Sequence, residues 1–174
     1  MKTSIVMTTF NSEKFILKQL DSLILQTKYI DEIIICDDCS SDNTINLLEQ
    51  FKAKNINNKI KIVYNRENIG FVQNFKNAIS YASGDLIFLC DHDDVWEKEK
   101  VKNMLKVFEG NKDILCLGSS FSMIDANDNK IKNKVNILFC NNNLIKFKIK
   151  KGKVEKINFK HEFLHNFTPG CCIA

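Results

Sequence analysis

The strongest constraint in this sequence is a rhythm of short apolar runs. Ser4–Met7, Glu32–Cys36, Ile60–Tyr64 and Leu86–Cys90 are rich in Ile, Val, Leu or Phe and have the length of β-strands. The stretches between them carry apolar residues at helical spacing. Phe15, Leu20, Leu23 and Ile24 share a face between Ser12 and Gln26, and Leu47, Leu48 and Phe51 do so between Asp42 and Lys54. Phe71, Phe75, Ala78, Ile79 and Ala82 form the third stripe. Asn11 or Ser12, and Ser41 or Asp42, stand where helix N-caps are expected. Strand and helix alternating at this interval build right-handed βαβ units, hence an α/β fold with a mainly parallel sheet and helices on both faces. The near-continuous apolar strands agree, because parallel strands are covered on both sides.

Sheets of this kind bind ligands outside the carboxyl ends of their strands. Four polar segments directly follow the four strands: Thr8-Thr9-Phe10-Asn11, Cys36-Asp37-Asp38-Cys39, Asn65-Arg66-Glu67-Asn68 and Asp91-His92-Asp93-Asp94. The last packs three carboxylates into four positions. Like charges that close raise one another's pKa unless a cation compensates. A hard divalent cation, Mg²⁺ or Mn²⁺, takes oxygen ligands and keeps places for substrate phosphates. One reading is therefore a metal bridging protein carboxylates and a diphosphate; the other is an Asp-rich turn that caps the next helix, with Trp96 packed behind it. Asp37 and Asp38 either accept from a base or ribose or close the Asp-Cys-Ser-Ser-Asp turn. Arg66 offers a planar fork to base or phosphate, or is a surface arginine. Phe10 stacks on a base or fills the core.

Taken in order, the segments Ser-Ile-Val-Met-Thr-Thr-Phe-Asn, Asp-Glu-Ile-Ile-Ile-Cys-Asp-Asp-Cys-Ser-Ser-Asp-Asn-Thr, Asn-Arg-Glu-Asn-Ile-Gly-Phe and Ser-Gly-Asp-Leu-Ile-Phe-Leu-Cys-Asp-His-Asp-Asp-Val-Trp resemble the inverting glycosyltransferase family 2, with its Rossmann-like GT-A fold. The likeness runs from about Lys2 to about Val101. Its Asp-x-Asp-Asp-Val-Trp form is similar to members that build bacterial surface polysaccharides, rhamnosyltransferases among them. The resemblance implies a nucleotide-sugar-binding core over residues 1–125 and the start of an acceptor-side region over residues 126–174. It implies that Thr8, Phe10 and Asn11 line the nucleoside pocket, that Asp37 contacts the base, and that Arg66, Asn68 and Gly70 border the nucleotide. Asp91 and Asp93 would form the Asp-x-Asp motif that binds Mg²⁺ or Mn²⁺, with Asp93 the main ligand and Asp91 near the ribose or metal.

The implied reaction moves a sugar with inversion from a UDP- or dTDP-sugar to a saccharide or lipid-linked acceptor, and needs a carboxylate as general base. In similar proteins that base lies beyond a Gly-Cys-x-x-Ala-like strand, which Gly170-Cys171-Cys172-Ile173-Ala174 resembles. The expectation is thus that the catalytic base falls after Ala174 and that this chain alone transfers sugar poorly. One departure stands out: Cys39 occupies a position where the usual member has Gly. Cys resists positive φ, so an altered turn is expected there.

Other readings are weaker. His161-Glu162-Phe163-Leu164-His165 matches the pattern of zinc hydrolases, but a third ligand is expected downstream and Thr168-Pro169 would cut the helix short. Cys36 and Cys39 have the spacing of a redox or zinc pair without a second pair to match. A phosphate loop of the Gly-x-x-x-x-Gly-Lys type is missing from a chain with six glycines. A non-catalytic nucleotide-sugar-binding module is the alternative of a different class. Seven cysteines without a secretory signal read as reduced thiols in a cytoplasmic protein. The mild net charge of +4 gives no reason to invoke nucleic acid. The Lys130–Lys160 stretch, with Phe139, Ile145, Phe147 and Phe159 among its lysines, leaves open peripheral contact with the inner face of the cytoplasmic membrane.

Overall fold

The computed structural model describes residues 1–131 except Ser120, Phe121 and Ala126. The His161–His165 motif, Gly170–Ala174 and nearly all of the Lys130–Lys160 stretch lie outside the described residues.

Strands and helices alternate as the rhythm requires: β1 (Thr3–Thr9), α1 (Ile16–Ile24), β2 (Glu32–Asp37), α2 (Thr44–Lys54), β3 (Ile60–Tyr64), α3 (Phe71–Ile79), β4 (Leu86–Cys90) and α4 (Lys100–Gly110). All pairings are parallel, in the order β3-β2-β1-β4. The chain steps outward from β1 to β3, then crosses back to place β4 on the other side of β1. That reversal opens a crevice at the carboxyl ends of β1 and β4.

Alternation along the strands sorts the core into two layers. Ile5, Met7, Ile33, Ile35 and Phe88 point to one face, where they pack with Ile16, Leu20 and Leu23 of α1, Leu48 and Phe51 of α2, and Val101, Met104, Leu105 and Phe108 of α4. Val6, Ile34 and Cys36 point to the other, where Ala78 of α3 is buried against them. The inner strands β1 and β2 are buried along their whole length, whereas β4 alternates between buried and half-buried positions.

Three expectations are corrected. Helix α1 starts at Ile16, because Asn11 sits at φ 48° and the chain makes a turn in which the Ser12 carbonyl accepts from Phe15 N and Ile16 N, each at 3.0 Å. Neither Asn11 nor Ser12 caps it, and Phe15 is exposed while Ile16 takes its place inward. Helix α2 starts at Thr44 behind Asn43, with Asp42 Oδ1 accepting from Thr44 N at 3.0 Å. On α3, Phe71 is 66% exposed, since the stripe runs past the covered part of the sheet.

The amino edge of the sheet is closed by carboxylates that all have partners. Glu32 Oε1 accepts from Ser4 Oγ (2.6 Å), Ser83 N (2.7 Å) and Ser83 Oγ (2.8 Å). Burial works to raise its pKa, yet these hydrogen bonds overcome it and hold the group at about 2. Asp31 accepts from Thr3 N at 2.8 Å and Thr3 Oγ1 at 2.9 Å, which lowers its pKa. Gly84 fits this junction because it has no side chain: a Cβ there would lie 2.6 Å from Ser4 Oγ and 2.8 Å from Ser4 N.

Candidate functional site

The four polar segments found in the sequence meet at the carboxyl edge. Register sets Thr9 beside Asp37 and Asp37 beside Tyr64, while Met7 pairs with Cys90 and brings Thr8 next to Asp91. From the end of β3 to the end of β4 is three strand spacings, about 14 Å. An extended nucleoside diphosphate has that reach, so a ligand can touch Arg66 at one end and the acids after β4 at the other.

The floor of this edge is a bonded platform between the loops after β1 and β2. Asn11 Oδ1 accepts from Ser41 N at 2.9 Å, and Asn11 N donates to Ser40 Oγ at 2.9 Å. Ser12 N donates to Thr44 Oγ1 at 2.7 Å, and Asn43 N to Glu13 Oε2 at 2.9 Å. Asp37 is fully buried and belongs to the same platform. Its Oδ2 accepts from Thr9 Oγ1 (2.8 Å) and Ser40 Oγ (2.6 Å), and its Oδ1 from Ser40 N (2.8 Å). The carboxylate expected on the base thus accepts three hydrogen bonds from its own fold. Cys39 adopts φ 65°, so the left-handed turn is retained and not altered as expected; a side chain in that conformation costs about 1 kcal/mol. Its thiol lies 3.8 Å from the Arg66 carbonyl. Cys36 is buried in β2 with its thiol pushed up to about 11 by burial, so the two cysteines do not form a reactive pair.

Several residues named from sequence are presented to solvent. Phe10 is 45% exposed, which overturns the core alternative for this ring. Arg66, Asn68 and Asp93 are exposed, Gly70 and Asp91 half-buried, and Thr8 buried at the strand end. Beside Asp91 a cleft of about 410 Å³ is walled by Phe71, Val72, Phe75, Lys76, Ile79 and Leu89.

The acidic turn is not a helix cap. Helix α4 begins at Lys100 behind Glu99, with no side-chain hydrogen bond at its cap, so none of Asp91, Asp93 and Asp94 is its N-cap residue. Trp96 does pack behind the turn, against Phe88 and beneath the Lys100 ammonium. Helix α1 pins the turn on both sides: Gln19 Nε2 donates to Cys90 Sγ, and Ser22 Oγ accepts from Trp96 N at 3.1 Å. The Asp91 carboxyl is raised by burial and then by the neighbouring charges of Asp94 and Asp93, with His92 and Lys100 opposing. Among the described residues no group of three or more His, Cys, Asp or Glu side chains is placed to hold a metal ion by itself. These acids fit a cation that takes few ligands from protein and the rest from phosphate and water, as Mg²⁺ does.

Sequence reasoning missed the second tier of this edge. Asp38 Oδ1 accepts from Ile69 N (2.9 Å) and Asn65 Nδ2 (2.8 Å), and its Oδ2 from Gly70 N (2.9 Å). Asn74 is buried on α3 behind Asn65. The signal was available: Asn74 is a polar residue inside the apolar stripe of a helix.

The model of the family described as Glycosyl transferase family 2 matches residues 4–173. An uncharacterized glycosyltransferase of Nostoc sp. is 29% identical over 131 residues, 75% of this chain and 40% of that protein. The poly(ribitol-phosphate) beta-N-acetylglucosaminyltransferase TarS of Staphylococcus aureus is 33% identical over 121 residues, 67% of this chain and 21% of that protein. This chain therefore spans well under half the length of these relatives. The crystal structure of TarS residues 1–349 in complex with UDP superposes with a TM-score of 0.58 at 29% identity, covering 64% of this chain and 33% of that one. The mannosyltransferase PcManGT of Pyrobaculum calidifontis, solved with GDP-Man and Mn²⁺, matches in fold, with a TM-score of 0.61 at 19% identity over 73% of this chain and 36% of that one.

Proposed function

This chain belongs to glycosyl transferase family 2, and from that premise we propose that its carboxyl edge is the donor site of a sugar transferase. The donor is a pyrimidine nucleoside-diphosphate sugar, UDP or dTDP, and the acceptor a saccharide or lipid-linked sugar of a surface polysaccharide. The observation that carries this reading is the acidic turn after β4. Helix α4 takes Glu99 and not these acids as its cap residue, and burial together with Asp94 and Asp93 raises Asp91, whereas Asp31 and Glu32 of the opposite edge are lowered. Asp91 and Asp93 would hold Mg²⁺ or Mn²⁺ against the diphosphate. Bound there, the cation supplies charge neutralisation for the departing nucleotide. Phe10, exposed at the end of β1, offers a stacking face to the base. Arg66 and Asn68, exposed on the loop after β3, offer donors to the nucleotide, and Thr8 and Gly70 border it. Asn11 and Asp37 contribute by fixing the platform on which the nucleoside rests. The TarS complex supports UDP as the nucleotide to test first. No helix among the described residues is long and apolar enough to cross a membrane.

Calorimetric titration of the chain with UDP and dTDP, with and without Mn²⁺, tests this reading. UDP binding that needs Mn²⁺ and weakens at least tenfold in Asp93→Ala is expected. Binding indifferent to both, or no binding of either nucleotide, contradicts it.

A further inference from the structure

We propose that Asn74 is a positioning residue for this site: through Asn65 and Asp38 it buckles the 65–70 loop into the shape that presents Arg66 and Asn68 to the nucleotide. The proposal rests on the donor-site reading above.

Asn74 lies on the sheet-facing side of α3 with 1% of its surface exposed, within a stripe of otherwise apolar residues. A buried carboxamide is tolerated only when its polar atoms are matched. Here each has a partner. Nδ2 donates to the Cys36 carbonyl at 3.0 Å, at the end of β2, and Oδ1 accepts from Asn65 Nδ2 at 3.0 Å. The backbone N of Asn74 donates to the Gly70 carbonyl at 2.9 Å.

Asn65 passes this constraint on. The Nδ2 held by Asn74 is shared with Asp38 Oδ1, and Asn65 Oδ1 accepts from Asn77 Nδ2 at 3.4 Å, which fixes the orientation of the carboxamide. Asp38 then gathers the far end of the loop by accepting from Ile69 N and Gly70 N, both at 2.9 Å. Gly70 makes the bend at φ 83°, with no atom within 4 Å of where a Cβ would stand. Glycine is needed there for its backbone, not for space. The network thus ties both ends of one loop to β2 and α3 while Arg66, Glu67 and Asn68 between them face solvent. A loop already held in its binding shape loses less entropy when the nucleotide arrives.

Binding of UDP with Mn²⁺ would be measured for the 174-residue wild type, Asn74→Leu and Asp38→Asn, with amide hydrogen exchange at Ile69 and Gly70. Glu32→Gln, which weakens the opposite edge of the sheet, is the control for general loss of stability. Roughly tenfold weaker UDP binding in both network variants, faster exchange at the two amides, and wild-type affinity in Glu32→Gln are expected. Wild-type affinity in either network variant, folded by circular dichroism, overturns the proposal, as does an equal loss in Glu32→Gln. If Asn74→Leu does not fold, Asp38→Asn decides. A wild type that binds neither UDP nor dTDP brings down the donor-site reading and this inference with it, whereas tight wild-type binding that the variants share brings down this inference alone.

Discussion

The two edges of this sheet both carry carboxylates and treat them differently. At the amino edge, Asp31 and Glu32 receive hydrogen bonds from Thr3, Ser4 and Ser83, and both are stabilised as anions. At the carboxyl edge beyond β4, Asp91 is half-buried among other acids and its anion is disfavoured. Asp37 and Asp38, on the same edge, accept hydrogen bonds from hydroxyls and backbone N–H groups of the loops they close. An acid matched by its own fold is part of the scaffold. One that its surroundings oppose is a candidate for binding a partner from outside the chain.

The largest effect that sharpens this contrast is at Glu32. Its folded pKa, about 2, lies below the ordinary 4.5, so its contribution is fully present above pH 4.5 and is lost as pH falls from 4.5 toward 2. The shift corresponds to about 3 kcal/mol. Glu32→Gln is expected to lower the Tm at neutral pH by about 10 °C and to flatten the loss of stability between pH 4.5 and 2, as read by thermal melts across that range. An unchanged melt would mean that the amino-edge acids are not scaffold.

Gly84→Ala comes next. The added methyl meets the Ser4 hydroxyl and backbone, so a loss of roughly 2 kcal/mol in denaturant midpoint analysis is expected, with nucleotide binding retained in the folded fraction.

The smallest effect has the opposite sign. Asp91 is raised above its ordinary value, so its charge at neutral pH works against folding, and that penalty disappears on protonation. Asp91→Asn is expected to raise the stability of the metal-free chain slightly, as read by thermal melts, while weakening binding of UDP with Mn²⁺. A destabilised Asp91→Asn would place Asp91 with the scaffold acids and break the comparison.

The strands and their parallel pairing were legible because buried parallel strands leave an apolar signature that loops do not imitate, whereas their order in the sheet was not. β3 and β4 match their apolar runs residue for residue, and β1 and β2 extend further, to Thr9 and Asp37, because ladder hydrogen bonds do not stop where apolarity does. Helix starts were less legible. Asn11 and Ser12 have N-cap chemistry, but Asn11 Oδ1 accepts from Ser41 N in the loop after β2, a partner distant in sequence, and Ser12 Oγ turns back to accept from Phe10 N. The same holds within the Asp37-Asp38 pair. Spacing marked a site, but only the register of Thr9 with Asp37, and the return of the chain at Ile69 and Gly70, decides what each carboxylate holds. Cys39 shows a local preference overridden: bonds from Ser40 to Asp37 hold a turn that Cys by itself disfavours.

The central claim is that the acids after β4 await a cation shared with a diphosphate, and electron paramagnetic resonance of Mn²⁺ tests it most directly. The sharp signal of aqueous Mn²⁺ should weaken when the chain and UDP are both present, more than with either alone, and should recover in Asp93→Ala. An aqueous signal unchanged by the chain with UDP, or equally weakened in Asp93→Ala, would contradict it.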